Sequence, residues 1–138
     1  MPSSTSEGAT HADLFCADSG TLQTNATAPT PIHGLSLVLP EGVQDSALVT
    51  LNLPNPYATG NNFPGGWFGI SVNGTVLPAF AAFTYGVQQP GSFNRMPTTL
   101  VVSVPLGLKP QTIQAVWQGI RGSTVIIDSP SSLSAVIA

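Results

Sequence analysis

Short runs of alternating apolar and polar residues, separated by glycine and proline, make up most of the chain. In the segment 47–53, the odd-numbered positions are all apolar, while Thr50 and Asn52 lie on the opposite face. Such alternation is typical of a half-buried strand. Asn73 and Gly74 separate two further apolar runs and predict a tight hairpin, because both residues accept a positive φ. The same pattern predicts strands at 34–39, 47–53, 67–72, 75–77, 79–85, 99–104, 112–118, 124–128 and 133–137.

These strands, with no helical stripe between them, predict an all-β domain: a β-sandwich, a jelly roll or a small barrel. The length of 138 residues fits one domain. We expect residues 1–12 to form a loose tail and residues 13–138 to form the domain. Residues 21–31, rich in threonine and proline, are either a loop or an edge strand. Within 67–72, Trp67 lies on the face opposite the apolar residues Phe68, Ile70 and Val72. We therefore expect Trp67 to face outward, on a surface, in a binding site or in a seam between subunits.

Charge is scarce, and this excludes several functions. Only 7% of residues are charged, against about a quarter in a typical soluble domain. A net charge of -3 with three basic residues excludes nucleic-acid binding and a polybasic membrane contact. No run approaches the roughly 18 apolar residues of a membrane-spanning helix. Few charges with a mean hydropathy of +0.27 favour an obligate oligomer, since interface cores are poor in charge.

The residues for catalysis are also missing, and we expect neither an enzyme nor a bound metal or cofactor. His11 and His33 are the only histidines, which disfavours both a metal cluster and a Ser-His-Asp triad. Six scattered acidic residues do not suggest a glycosidase pair. Cys16 is the only cysteine, predicted to be a small buried thiol. The first residues lack the pattern of a secretory signal, so the localisation is left open; synthesis in the cytoplasm with non-classical export is one route.

The two arginines stand out. Arg95 lies in 91–97 (GSFNRMP) and Arg121 in 117–122 (WQGIRG), both loop-like segments. Four aromatic residues occur in or near such segments: Tyr57, Trp67, Tyr85 and Phe93. A guanidinium donates paired hydrogen bonds to neighbouring hydroxyls, and an aromatic ring covers the apolar side of a sugar. The same residue types are enriched in protein interfaces, so the residues alone leave both roles open.

Several segments resemble a known family. They are 56–65 (PYATGNNFPG), 83–85 (FTY), 95–97 (RMP), 121–123 (RGS), 127–129 (IDS) and 132–135 (SLSA). They are similar to the N-terminal domain of bacterial two-domain superlectins, in register from about residue 32 to the C-terminus, whereas residues 1–31 show no match. The resemblance implies a TNF-like jelly-roll β-sandwich that forms a homotrimer. It also implies a lectin that binds fucose or fucosylated glycans, without calcium, between neighbouring protomers.

The resemblance supplies a set of candidate sugar-binding residues. Those that match the family's sugar-contacting residue types are Tyr57, Thr84, Tyr85, Ser92, Arg95 and Arg121. Trp67 stands where the family has tyrosine, and Phe93 stands where it has threonine. These two departures affect which glycan and linkage are preferred more than sugar binding itself.

Other roles remain open for these residues. Tyr57 is also suited to bracing its loop, Tyr85 to a core position with its hydroxyl bonded internally, and Trp67 to a trimer seam. Trp117 is predicted to be core. The rival function is a structural or signalling trimer of the same fold that binds a protein partner and has no sugar site.

Overall fold

The computed structural model describes residues 13–137, and these residues form eleven strands and no helix. The strands are β1 (Asp13–Ser19), β2 (Leu22–Thr24), β3 (Thr30–Leu39), β4 (Ser46–Leu53), β5 (Pro56–Thr59), β6 (Gly65–Val72), β7 (Thr75–Thr84), β8 (Thr98–Pro105), β9 (Gln111–Ile120), β10 (Thr124–Ile127) and β11 (Ser131–Ile137). The predicted all-β class is confirmed. The predicted tail, residues 1–12, lies outside the described residues.

The strands form two four-stranded sheets and one small sheet. The first sheet has the order β1-β11-β4-β8, the second β3-β9-β6-β7, and the small one β2-β10-β5. All pairings are antiparallel. The chain passes repeatedly between the two large sheets, because β3 and β4 lie in different sheets, as do β7 and β8, and β8 and β9. This crossing connectivity is that of a sandwich with jelly-roll winding.

The core lies between the inner faces of the two large sheets. Ala47, Val49, Leu51 and Leu53 of β4 are fully buried, as the alternation in 47–53 predicts. Trp117 is only 3% exposed and belongs to the same core, which confirms its predicted place. Each large side chain buried in this way contributes roughly 1.5–3 kcal/mol to stability.

The hairpin prediction is confirmed, and several strand bounds change. Asn73 and Gly74 join β6 to β7 with φ values of 50° and 86°. The separate strands predicted at 75–77 and 79–85 form one strand, β7, with a shift in register opposite β6 between Gly69 and Ser71. Residues 21–31 contain β2 and the beginning of β3. The described residues contain no helix long and apolar enough to cross a membrane.

The predicted burial of Cys16 is wrong for the protomer. Cys16 is exposed, because it alternates with Phe15 and Ala17, which pack against the core from the same strand. It therefore lies on the outer face of the first sheet, opposite Ser134 of β11.

Candidate functional site

Arg95 is held between an aromatic ring and a carboxylate at one end of the sandwich. It lies in the connection between β7 and β8, and its guanidinium carbon is 3.9 Å from the centroid of the Tyr57 ring. The guanidinium also forms an ion pair with Asp128, which follows β10 directly. Tyr57 and Asp128 come together because β5 pairs with β10, with Tyr57 opposite Ile126. The Arg95 side chain is 43% exposed, so a cation of fixed orientation faces the solvent.

Tyr85 connects this cluster to the core. Its hydroxyl donates a hydrogen bond to the Asn94 carbonyl (2.6 Å) and accepts one from the Ala58 amide (3.3 Å). Its ring packs edge-on against Phe83 and Phe93, with centroids 5.8 and 6.1 Å away. Within one protomer, the Tyr85 hydroxyl is therefore bonded internally, as the alternative role for this residue predicted. One lone pair of the oxygen remains for a ligand.

Burial raises the pKa of the Tyr85 phenol above its ordinary value of 10.0. The hydrogen bond from Ala58 and the positive charge of Arg95 act in the opposite direction, with smaller effects. The phenol therefore keeps its proton at physiological pH and stays a hydrogen-bond donor to Asn94.

Arg121 occupies the turn between β9 and β10, with a φ of 53°. Its Nε donates to the carbonyls of Asn62 (2.9 Å) and Phe63 (3.1 Å), and its Nη2 also donates to Phe63. Arg121 therefore holds the connection between β5 and β6 at Asn62 and Phe63, while Nη1 has no hydrogen-bond partner among residues 13–137. These bonds fix the direction of a guanidinium that is otherwise exposed.

The connection between β5 and β6, which the Arg121 side chain contacts, is bonded to the connection that carries Arg95. The Tyr85 amide donates to the Pro64 carbonyl (2.9 Å), and the Phe63 amide donates to the Gln88 carbonyl (3.1 Å). Ser123 fixes the base of the Arg121 turn, because its hydroxyl accepts a hydrogen bond from the Gly65 amide (3.1 Å). The structure therefore places Arg95 and Arg121 on adjoining segments at the same end of the sandwich.

The remaining candidates lie around this end in different ways. Thr84 is the exposed last residue of β7, opposite Gly65 and next to Tyr85. Ser92 is exposed in the connection between β7 and β8, and its neighbour Phe93 packs against Tyr85. Trp67 faces outward as predicted, but its ring stacks on Phe80 rather than on either arginine. One chain thus brings Tyr57, Tyr85, Phe93 and Arg95 together, and leaves Trp67 on the outer face of the second sheet.

A family model described as "Bc2l-C, N-terminal domain" matches residues 19–136. The chain belongs to this family. This family comprises the fucose-binding, TNF-like lectin domains of bacterial superlectins, so the resemblance seen in 56–65 and the other segments is confirmed. The match begins at residue 19, which corrects the expectation that nothing before residue 32 belongs to it. No curated protein matches the chain.

Membership of the Bc2l-C N-terminal domain family makes this a lectin-type domain, a class that is generally not enzymatic. Among residues 13–137, no three histidine, cysteine or acidic side chains lie close enough together to hold a metal ion. An open depression of about 430 Å³ lies at the other end of the sandwich, beside Asn73, Lys109 and Gln111. It contains none of the predicted site residues.

At the end of the domain that carries the two arginines, the sequence analysis missed three residues: Asp128, Phe63 and Asn94. Asp128 pairs with Arg95, and the Phe63 and Asn94 carbonyls hold Arg121 and Tyr85. Asp128 carried a usable signal, because it is one of only six acidic residues and ends the predicted strand 124–128. The two carbonyl contacts carry none, because any residue supplies a backbone oxygen.

We expect the Tyr85→Phe protein to unfold with a free energy about 1–2 kcal/mol lower than the wild type, since two hydrogen bonds of a part-buried group are lost. The folded wild type holds the phenol proton at a pH where the unfolded chain releases it. Its stability should therefore fall as the pH rises past about 10. Thermal unfolding of both proteins from about pH 8 to pH 11 tests this. An equal loss in wild type and variant would show that the buried phenol is not responsible.

Proposed function

We propose that this chain is a calcium-independent lectin for fucose and fucosylated glycans, with its sites between neighbouring protomers of a homotrimer. The observation that carries the proposal is Arg95, held against Tyr57 and paired with Asp128 at an exposed end of a lectin-family domain. A neutral ligand suits this end. The ion pair already balances the arginine's charge, while its remaining N–H groups have no hydrogen-bond partner among residues 13–137 and are available to sugar hydroxyls.

Each candidate residue has a chemical role in this proposal. Arg95 and Arg121 donate hydrogen bonds to the ring hydroxyls and the ring oxygen of the sugar. The aromatic walls are Tyr57, Trp67 and Tyr85, and Phe93 adds apolar surface. Thr84 and Ser92 supply further hydrogen bonds. Both guanidinium groups are held in place before the ligand arrives, which reduces the entropy lost on binding.

The outer face of the first sheet supports self-association. Leu14, Leu48 and Val101 are 64%, 52% and 51% exposed on this face. The strand registers place around them Cys16, Asp18, Thr50, Asn52, Thr99, Ser103, Ser132, Ser134 and Val136. Asp18 is the one charged residue of this set. A face this poor in charge is suited to burial between copies of the chain.

The position of Trp67 supports a site between protomers. Its ring lies on the outer face of the second sheet with Phe80, apart from the cluster of Tyr57 and Arg95. We infer that a site using both takes them from neighbouring protomers. We expect a single monosaccharide to bind with a Kd of roughly micromolar to millimolar, and three sites on one trimer to strengthen attachment to a cell surface.

The rival function, a structural or signalling trimer that binds a protein partner, also has a specific observation in its favour. Nε and Nη2 of Arg121 are already bonded to backbone carbonyls, and the Tyr85 hydroxyl is bonded internally. These groups then serve the fold, and the exposed arginines would be interface residues.

A glycan array with the labelled protein, run with and without EDTA and with free L-fucose as competitor, separates the two functions. We expect fucosylated glycans to bind, EDTA to change nothing, and free fucose to remove the signal. Sedimentation of the same protein should give three chains per particle. Signals on sugars without fucose would overturn the fucose assignment, and a blank array with a folded trimer would favour the rival. A monomer would contradict sites shared between protomers.

A further inference from the structure

Trp67 and Phe80 form an aromatic surface on the outer face of the second sheet. Their ring centroids are 5.7 Å apart and their planes differ by 27°. Phe80 is 55% exposed on β7, directly opposite Gly69 of β6. Phe80 is exposed and Trp67 partly exposed, so together they present an apolar surface to solvent.

Gly69 sets the position of the indole. A Cβ atom at residue 69 would lie 2.6 Å from Cη2 and 3.0 Å from Cζ3 of Trp67. The six-membered ring therefore rests on the glycine, and any larger residue there would displace it. Val116, opposite Gly69 on the other side, is buried at 4% exposure although it is not part of the core cluster. The indole thus lies along the sheet and has a defined orientation.

The surroundings of the two rings select for a neutral partner. β6, β7 and β9 contain no charged residue. Gln118 and Ala82, the cross-strand neighbours of Trp67, are partly or fully exposed and uncharged. The surface also continues into the proposed fucose site, since Thr84 lies on the same face of β7, two residues beyond Ala82.

We propose that Phe80 extends the Trp67 wall into a second subsite, which stacks a neutral pyranose linked to the bound fucose. This inference rests on the proposed function and names the ligand class more closely: oligosaccharides that carry fucose, in preference to free fucose. The C–H face of a pyranose packs on an aromatic ring, while its hydroxyls remain available to Gln118 and water. This surface offers no ion-pair partner for a charged group of a glycan.

The test is a calorimetric titration of the wild type and of Phe80→Ala with methyl α-L-fucoside and with a set of fucosylated trisaccharides that differ in linkage. We expect the wild type to bind at least one trisaccharide about threefold to tenfold more tightly than the monosaccharide. Phe80→Ala should lose that advantage and bind methyl fucoside as before. Phe80→Tyr should keep the tighter binding of the trisaccharide, because it keeps an aromatic ring. This variant therefore separates the loss of the ring from a folding defect. Val76→Ala, on the same strand and 38% exposed at residue 76, is the matched control and should resemble the wild type.

The failures are distinguishable. A wild type that binds no fucoside would overturn the proposed function and this inference with it. A wild type that binds fucose but gains nothing from the longer glycans would overturn the second subsite alone. The second subsite would also be overturned if Phe80→Ala still binds the trisaccharide more tightly than methyl fucoside, or if it weakens the binding of both ligands equally.

Discussion

Replacing Arg95 with alanine should remove detectable fucose binding and leave the trimer assembled. Its guanidinium is oriented by the Tyr57 ring at 3.9 Å and by Asp128. Hydrogen bonds from a charged donor contribute about 1.5–3 kcal/mol each, or roughly tenfold to a hundredfold in Kd. A monosaccharide whose Kd is already near millimolar would then bind too weakly to be detected. The fold loses little, because a part-exposed ion pair contributes about 0–1 kcal/mol.

The measurement pairs a fucose titration with sedimentation of the same sample. Lys109→Ala is the matched control, because it removes the remaining basic side chain at the other end of the sandwich. Asp128→Asn should weaken binding by less than Arg95→Ala, since it loosens the arginine without removing it. Arg121→Ala should match Arg95→Ala in binding. If Arg95→Ala instead dissociates the trimer, the arginine is an interface residue and the rival function is favoured.

The local pattern predicted most of the long strands and the short β10, but not β1, β2 or β5. β4 and the hairpin at Asn73 and Gly74 follow from local pattern and turn chemistry alone. β2 and β5 have three and four residues, too few for a period of two to be distinguished from chance. β5 also begins with a proline and is ordered by pairing with β10, a partner that lies far along the chain.

The same limit applies to the site. The outward direction of Trp67 follows from its neighbours in β6, and it is confirmed. The contacts of Arg95 with Tyr57 and Asp128 join residues 38 and 33 positions apart, and no local pattern encodes them. Only the family resemblance placed Tyr57 with Arg95 beforehand. The exposure of Cys16 was missed because residue type predicts burial on average, whereas the inward direction of Phe15 decides the face of β1.

Replacing Gly119 with alanine should destabilise the whole domain. A Cβ atom at residue 119 would lie 2.0 Å from the carbonyl oxygen of Ser123 and 2.9 Å from its carbonyl carbon. Both are backbone atoms, and the turn is closed by the hydrogen bond from the Ser123 amide to the Ile120 carbonyl (3.1 Å). No rotamer change relieves this contact, so β9 and the Arg121 turn must move apart. We expect a loss on the order of 3–5 kcal/mol, a large part of the 5–15 kcal/mol that stabilises a typical domain.

Thermal and denaturant unfolding of Gly119→Ala test this expectation, with a decrease in Tm of about 10 °C or more. Gly20→Ala is the matched control, because an added Cβ there meets nothing within 4 Å. Equal stability of the two variants would show that the turn adapts to a side chain at residue 119. The comparison with Arg95→Ala adds a further distinction. Gly119→Ala should lose binding and stability together, because the turn that it displaces holds Arg121 against Asn62 and Phe63. Arg95→Ala should lose binding alone, because its guanidinium contributes to the site and little to the fold.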